Sequence, residues 1–290
     1  MATILDLVGN TPLVEITKLN KNPKVKVFGK LEGDNPGGSV KDRAALNMIK
    51  SALERGEIKP GMKLIEATSG NTGIALAMIA RQFDLEIELV LPSNSTRERT
   101  QTMEAYGAKV IQLDGIEACR DYADEKGQSD EYFQLNQFAN PDNYEAHYIS
   151  TGPEIWRDTN GEITHFVSSM GTTGTIMGTS MFLKEQDASV QIVGCQPTDG
   201  SSIPGIRRWP EEYLPKIFDP TRVDRVMDVS TEEATAMARN LAKTESIFAG
   251  MSSGGAAHAA LKLAEELESG LIVFIVCDRG DRYLSSDLFA

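Results

Sequence analysis

Short apolar runs alternate with amphipathic helical stretches along most of this chain, and this alternation is the feature that most constrains its fold. The pattern predicts strands at 63–67, 87–91 and 109–113, with helices at 73–82 and 95–106 between them. Strands that alternate with helices in this way form βαβ units around a mainly parallel sheet. The sequence therefore predicts an α/β protein.

A second series of the same kind follows the turn-rich segment 140–143. It is predicted to contain helices at 153–158 and 174–185 and strands at 163–168, 190–196 and 271–276. Near the C-terminal end, the sequence STEE predicts a capping box in which Ser230 and Glu233 satisfy each other's N–H groups. The 290 residues are enough for two lobes, since a domain usually takes roughly 100–200 residues.

The chain is strongly acidic, with 29 basic and 42 acidic side chains and a formal net charge of −13. Nucleic acids and anionic membranes would be repelled over most of such a surface, so neither is expected as a partner. A small anion can still bind where backbone N–H groups and a helix N-terminus converge. We therefore expect small-molecule ligands.

Targeting and redox signals are weak in this sequence. The first ten residues lack a basic segment followed by a long apolar run, and the most apolar run, 271–276, is too short to span a bilayer. A cytoplasmic protein is expected. Cys119, Cys195 and Cys277 are isolated and the three histidines are scattered, so neither a disulfide framework nor a metal site is predicted.

The first motif that suggests chemistry is the segment 35–43, NPGGSVKDR, in which a Pro/Gly turn runs into a helix. Ser39 is the predicted N-cap, so Lys41 lies in the first turn. The positive end of the helix dipole disfavours an ammonium group there and lowers the pKa expected for Lys41. A neutral amine is what a Schiff-base lysine needs, although an exposed lysine in a capped helix would have the same local sequence.

The second motif is TSGNTG at 68–73, between a predicted strand and a predicted helix. Its hydroxyl groups, its amide and the N–H groups of the next helix converge on one point, as recognition of a carboxylate requires. A helix cap without any ligand is the alternative interpretation.

The third motif, GTTGT at 171–175, also joins a predicted strand to a predicted helix. Its N–H groups and three hydroxyl groups suit a phosphate. It is not G-x-G-x-x-G and it lacks the lysine of a Walker loop, so a phosphate without a nucleotide is the better prediction.

The fourth motif, GMSSG at 250–254, matches the G-x-S-x-G nucleophile elbow of α/β-hydrolases. A hydrolase would also need an acidic residue and then a histidine further along the chain. The only later histidine, His258, is predicted to lie in the same helix, which argues against a hydrolase. A serine hydroxyl at this position can instead hydrogen-bond a buried ring nitrogen.

Together and in this order, the four motifs resemble those of the fold type II pyridoxal phosphate (PLP) enzymes, specifically the cysteine synthase (O-acetylserine sulfhydrylase) family. The similarity extends over essentially the whole chain and includes NTPL at 10–13, TGPEIW at 151–156 and DRYLS at 281–285. It implies two α/β lobes with mostly parallel sheets and the cofactor PLP in the cleft between them. The smaller, mobile lobe would comprise 35–145, and the larger lobe 1–34 with 146–290.

The resemblance also implies roles for individual residues. Lys41 would hold PLP as a Schiff base and act as the catalytic base, Asn71 would contact the phenolic oxygen of the cofactor, and Ser252 would contact its ring nitrogen. The residues implied to hold the cofactor phosphate are Gly171, Thr172, Thr173, Gly174 and Thr175. The residues implied to hold the carboxylate of the amino-acid substrate are Thr68, Ser69, Thr72 and Gln137.

Within the family, the segments 200–209 and 277–280 resemble the B isozymes rather than the A isozymes. The implied reaction is a β-replacement, in which sulfide or thiosulfate displaces acetate from O-acetyl-L-serine to give L-cysteine or S-sulfocysteine. Arg207 and Arg208, in the longest predicted loop, are expected to contact the thiosulfate dianion. Cys277 and Asp278 follow a buried strand and are expected in the same pocket. A homodimer is expected from the family.

Two other kinds of function remain open from the sequence. A serine or threonine dehydratase or a cystathionine β-synthase would share most of the cofactor contacts and would differ in the loop around Arg207. A PLP-fold scaffold that binds a partner protein would not need Lys41, Asn71 and Ser252 together. The presence of all three favours an enzyme.

Overall fold

The computed structural model describes residues 1–68 and 70–290. The strands are β1 (Leu13–Glu15), β2 (Val25–Leu31), β3 (Lys63–Ala67), β4 (Ile87–Pro92), β5 (Lys109–Leu113), β6 (Tyr132–Gln134), β7 (His165–Ser169), β8 (Gln191–Pro197), β9 (Arg225–Val229) and β10 (Gly270–Val276). The α-helices are α1 (Lys41–Glu54), α2 (Asn71–Gln82), α3 (Arg97–Ala105), α4 (Gly115–Lys126), α5 (Pro141–Ala146), α6 (Gly152–Asp158), α7 (Gly174–Gln186), α8 (Thr231–Asn240) and α9 (Met251–Glu266).

The strands form two sheets. The larger has the order β1-β2-β10-β7-β8-β9, and the smaller has the order β5-β4-β3-β6. Every pairing is parallel except that of β1 with β2. The prediction of an α/β fold with two lobes and mostly parallel sheets is confirmed.

Helices cover both faces of the larger sheet, and the central strand β10 shows how. Ile272 and Phe274 belong to the buried cluster that contains the alanines of α9. Val273 and Ile275 point to the other face and belong to the cluster that contains residues of α7. A strand buried on both faces has an uninterrupted apolar sequence, which is why LIVFIV was recognisable as a strand.

The smaller sheet is covered in the same way. Leu64 and Leu89 cluster with α1 and α2, whereas Ile65 and Val90 cluster with α4. The carboxyl ends of β3 and β7 lead directly to the turns that precede α2 and α7. These two turns contain the second and third sequence motifs.

Most predicted elements agree with the structure to within one or two residues at each end, and β3 and β5 agree in full. The sequence did not predict β1, β2, β6, β9, α4 or α5. Strand β2 was not recognised because it contains Lys30, and a charged residue interrupts the apolar pattern of a buried strand. Lys30 is fully buried, and its Nζ lies 2.9 Å from Glu154 Oε2. The short strand β6 and the largely exposed edge strand β9 have weak apolar patterns.

The predicted N-cap residue is confirmed for α8 and is wrong for α1. Ser230 Oγ accepts from Glu233 N at 3.1 Å, and Glu233 Oε2 accepts from Ser230 N at 2.8 Å, which confirms the capping box. Helix α1 begins one residue later than expected, with Val40 as its N-cap. Ser39 instead pairs with Asp278 in an isolated β-bridge, although its hydroxyl still accepts from Lys41 N at 3.3 Å.

In the described part of the chain, no helix combines the length and the apolar character needed to cross a membrane.

Candidate active site

A cleft opens at the carboxyl ends of β3 and β7, and it is lined by residues of both lobes. The carboxyl ends of parallel strands are where α/β folds place their ligands. The predicted site residues that line this cleft are Lys41, Thr68, Asn71, Thr72, Gln137, Gly171, Thr172, Thr175, Arg207, Ser252 and Cys277.

Lys41 is the first residue of α1 and points into the cleft. Burial lowers the pKa of its amine, while the nearby Cys277 and Asp278 side chains act in the opposite direction. The direction agrees with the prediction, and desolvation is the largest cause of the shift. A lowered pKa favours the neutral form of the amine, which can act as a nucleophile or a base.

The turn between β3 and α2 is organised by Thr68. Its hydroxyl accepts from the N–H groups of Gly70 and Gly73, at 3.1 and 3.3 Å. Thr72 Oγ1 donates to Gln137 Oε1 at 2.8 Å, and Gln137 Nε2 donates to the carbonyl oxygen of Ala67 at 2.8 Å. Gln137 therefore bridges the start of α2 and the end of β3.

The turn between β7 and α7 has a different construction. Thr173, the N-cap, has a left-handed backbone with φ of 71° and makes no side-chain capping hydrogen bond. A Cβ on Gly174 would overlap the side-chain amide of Asn143, so only glycine allows this close approach. The hydroxyls of Thr172 and Thr175 are buried in the cleft, next to a helix N-terminus whose first N–H groups are available to an anion.

Ser252 and Cys277 also line the cleft. Ser252 is the second residue of α9 and is only 3% exposed, and its carbonyl oxygen accepts from Ser169 Oγ at 2.7 Å. Burial raises the pKa of the Cys277 thiol to about 11, so this side chain is a neutral thiol near pH 7.

The side-chain amide of Asn71 is held at both ends. Its Nδ2 donates to Asp278 Oδ2 at 2.7 Å, and its Oδ1 accepts from Arg282 Nη1 at 2.6 Å. Asn71 lies on the first turn of α2, and its partners follow β10, more than 200 residues later in the chain.

The two adjacent arginines have different environments. Arg207 lines the cleft, and its Nη1 donates to the carbonyl oxygens of Ile203 and Ile206, at 3.4 and 3.1 Å. Within the described residues Arg207 has no carboxylate partner, and burial lowers the pKa of its guanidinium. Arg208 points away from the cleft, where it pairs with Asp228 at 2.7 Å and Asp199 at 3.2 Å.

Comparison with known proteins places this geometry in a family. The chain matches the family model described as pyridoxal-phosphate dependent enzyme over residues 4–278. Cysteine synthase B of Pseudomonas aeruginosa is 59% identical over 290 residues, which cover 99% of this chain and 97% of that protein. Cysteine synthase B of Escherichia coli is 55% identical over 292 residues, covering 100% of this chain and 96% of that protein.

The solved structures give the same result. The crystal structure of a cysteine synthase from Entamoeba histolytica superposes with a TM-score of 0.93 at 38% identity, covering 100% of this chain and 90% of that chain. The chain belongs to the cysteine synthase family of pyridoxal-phosphate dependent enzymes. The resemblance to its B isozymes, which the sequence motifs indicated, is confirmed.

The cleft fits the PLP that enzymes of the cysteine synthase family use. The N-terminus of α7, which has no side-chain cap, and the hydroxyls of Thr172 and Thr175 form a concave site for a phosphate. Gly174 has no Cβ, and this allows the backbone of the turn to lie close to the Asn143 side chain. Lys41, with its lowered pKa, lies in the same cleft as Asn71 and Ser252. An amine, a hydrogen-bonding amide and a hydroxyl are thus available for the aldehyde carbon, the phenolic oxygen and the ring nitrogen of PLP.

Some predicted residues do not line the cleft. Thr173 and Gly174 belong to the turn but are behind its surface, Arg208 faces the other way, and the Asp278 carboxylate contacts Asn71 and Tyr283. Ser69 lies outside the described residues.

Several cleft residues were not predicted as such. They include Arg99 from α3, Ile116 from α4, Phe138, Ser168, Ser169 and Trp209. Trp209 directly follows the arginine pair, and its Nε1 donates to the carbonyl oxygen of Gly171 at 2.7 Å. Phe138 directly follows Gln137, so proximity in sequence to predicted residues was a usable signal for these two. No local pattern distinguishes Arg99 from other helix arginines.

Proposed function

We propose that this enzyme synthesises L-cysteine from O-acetyl-L-serine and sulfide, with PLP as cofactor and Lys41 as the residue that binds it covalently. The observation that supports this most directly is the convergence of Lys41, Asn71, Ser252 and the 171–175 turn on one cleft in a chain 59% identical to a cysteine synthase B. Bound PLP supplies an electron sink for the negative charge that develops at the α-carbon of the substrate. The remaining chemistry belongs to residues of the chain.

Cofactor binding is assigned to three parts of the cleft. The turn 171–175 and the first N–H groups of α7 would hold the phosphate, Asn71 would donate to the phenolic oxygen, and Ser252 would hydrogen-bond the ring nitrogen. A serine hydroxyl is neutral, and unlike a carboxylate it does little to hold a proton on that nitrogen. Such a neutral partner for the ring nitrogen would favour replacement at the β-carbon over transamination.

Substrate binding is assigned to the other turn. The hydroxyls of Thr68 and Thr72 and the side chain of Gln137 hold the carboxylate of O-acetylserine, together with Ser69. Because burial lowers the pKa of Lys41, its neutral form can remove the α-proton as acetate leaves, and can return it after the sulfur atom has added.

The second substrate can be thiosulfate as well as sulfide. Arg207 and Arg99 both line the cleft, and a guanidinium binds an oxyanion through paired, charge-assisted hydrogen bonds. Sulfide has no oxygen atoms for such a contact. We assign the sulfonate end of thiosulfate to Arg207, near Trp209 and Cys277.

The lobes and the assembly are part of the proposal. The smaller lobe is assigned to 35–145, which contains the whole four-stranded sheet, and it would move against 1–34 with 146–290. A homodimer in the cytoplasm is the form expected from the family. Light scattering on the purified protein would measure its mass directly.

A donor panel tests the function. The purified protein should show a visible absorption band from bound PLP, and O-acetylserine alone should change that band. Addition of sulfide should then restore it and release L-cysteine, and thiosulfate should release S-sulfocysteine. Release of pyruvate and ammonia from serine, without cysteine formation, would instead identify a dehydratase.

A further inference from the structure

The segment that follows β10 touches every part of the cleft that is assigned to the cofactor ring. Val40 N, next to Lys41, donates to the carbonyl oxygen of Cys277 at 2.8 Å, and Ser39 pairs with Asp278 in a β-bridge. The guanidinium of Arg282 donates through Nη2 to the carbonyl oxygen of Gly37. One short segment thus contacts the turn before Lys41 and, through Asp278 and Arg282, the Asn71 side chain.

The same segment packs against the start of α9. A Cβ on Gly250 would overlap both the Asp278 carboxylate and the ring of Tyr283, so the N-cap of the Ser252 helix lies directly against them. Tyr283 Oη donates to Asp278 Oδ2 at 2.6 Å, on the oxygen that also accepts from Asn71. Asp278 is 1% exposed, so this arrangement is shielded from water.

The charges around Asn71 determine the orientation of its amide. A carboxylate oxygen accepts from Nδ2 and a guanidinium donates to Oδ1. If the amide rotated by 180°, its carbonyl oxygen would face the Asp278 carboxylate and its NH₂ group would face the Arg282 guanidinium. Both contacts would then be repulsive, and two partly buried hydrogen bonds to charged groups would be lost.

The consequence concerns what Asn71 can offer to a ligand. Its carbonyl oxygen is engaged by Arg282, and one of its two N–H bonds is engaged by Asp278. In the part of the chain that the structure describes, the second N–H bond has no partner, and Asn71 lines the cleft. Asn71 therefore presents a donor to the cleft, which suits the ionised phenolic oxygen of PLP.

We propose that Asp278 and Arg282 are positioning residues that hold the Asn71 amide in this single orientation and so direct its remaining N–H towards the phenolic oxygen of PLP. This inference rests on the proposed function, because it needs PLP in the cleft with that oxygen near Asn71. Neither residue touches the reacting atoms. Arg282 acts through Asn71, and Asp278 acts through Asn71 in addition to its direct electrostatic effect on Lys41.

The test compares holoenzyme variants with one matched control. Arg282→Met removes the contact to Asn71 but keeps the apolar part of the side chain. Arg279→Met makes the same change three residues earlier, where the arginine is largely exposed and pairs with Asp281. The visible spectrum of bound PLP is recorded as a function of pH, and the Kd for PLP is measured with apoenzyme.

We expect Arg282→Met to change the spectrum in the same direction as Asn71→Ala and to weaken PLP binding by roughly 3- to 10-fold. Arg279→Met should match the wild type in both measurements. In the double variant Asn71→Ala/Arg282→Met, the second change should add little to the spectral shift, since residues that act through one contact are not additive.

Three results with the variants would overturn the inference. In the first, Asn71→Ala changes the visible spectrum of bound PLP and Arg282→Met does not. In the second, Arg282→Met changes the spectrum as much in the Asn71→Ala background as in the wild type. If Arg282→Met does not fold, Asp278→Asn decides when it is compared with and without Asn71, because Asp278 also acts directly on Lys41. Loss of the carboxylate charge weakens the hold on the amide, so this variant should change the spectrum more in the wild type than in the Asn71→Ala background. The third is a wild-type spectrum from that variant. A wild-type protein that binds no PLP would overturn the proposed function, and this inference with it.

Discussion

Two strand-to-helix turns line the cleft, and they differ in whether a side chain of the turn accepts hydrogen bonds from N–H groups at the start of the helix. In the β3–α2 turn, the hydroxyl of Thr68 accepts from the N–H groups of Gly70 and Gly73, so the protein satisfies part of the helix start itself. In the β7–α7 turn, the N-cap Thr173 makes no side-chain capping bond. The second turn keeps its N–H groups for a ligand, and the first offers mainly hydroxyl and amide groups.

This difference matches the two ligands assigned to the turns. A phosphate dianion that stays bound gains most from several preorganised N–H groups at a helix N-terminus. A substrate carboxylate must bind and leave in each cycle, and weaker hydroxyl contacts allow this. The comparison predicts that damage to one turn affects the cofactor and damage to the other affects the substrate.

The largest effect is expected for Lys41→Ala, which leaves both turns intact. Turnover should fall by about 10³-fold or more, because the chain loses both its covalent link to PLP and its base. The visible band of the holoenzyme should disappear, while PLP still binds non-covalently through the 171–175 turn. Cysteine synthesis at near wild-type rates in this variant would contradict the mechanism.

The next largest effect is expected for Arg207→Ala with thiosulfate as donor. Loss of one charged hydrogen bond costs about 1.5–3 kcal/mol, or roughly 10- to 150-fold, in the half-reaction with thiosulfate. The half-reaction with sulfide and the step with O-acetylserine should change little. Rapid-mixing spectra with each donor separate these steps.

Arg208→Ala is the matched control for that prediction, because Arg208 pairs with Asp228 and Asp199 outside the cleft. It should leave the ratio of thiosulfate to sulfide activity near the wild-type value. Equal losses with both donors in Arg207→Ala would indicate a role in folding or loop closure. A larger loss of thiosulfate activity in Arg208→Ala than in Arg207→Ala would reverse the assignment.

The smallest effects test the two turns against each other. Thr175→Val should weaken PLP binding by about 2- to 12-fold, the usual range for one neutral hydrogen bond, and leave KM for O-acetylserine nearly unchanged. Thr72→Val should raise KM for O-acetylserine by a similar factor and leave the Kd for PLP unchanged. If both variants changed both constants, the division between a cofactor turn and a substrate turn would be wrong.

Local sequence patterns were sufficient for a large part of this molecule. The apolar run of β10, the glycine-rich turns before α2 and α7, and the capping box at Ser230 depend on residues that are neighbours in the chain. The order of the four sequence motifs at 35–43, 68–73, 171–175 and 250–254 was specific enough to indicate the family. Elements that carry charge inside the core, such as β2 with Lys30, were missed because their stability depends on distant partners such as Glu154.

The sequence by itself determined the α/β class, the positions of the glycine-rich turns before α2 and α7 and the place of Lys41 at a helix start, since periodicity and turn chemistry are local properties. The tertiary structure alone decided that Arg207 faces the cleft while Arg208 does not, and that burial is the principal cause of the lowered pKa of Lys41. It also decided that Asp278 contacts Asn71, 207 positions away in the chain. These properties depend on which distant segments meet and how much water they exclude, and no local pattern encodes either.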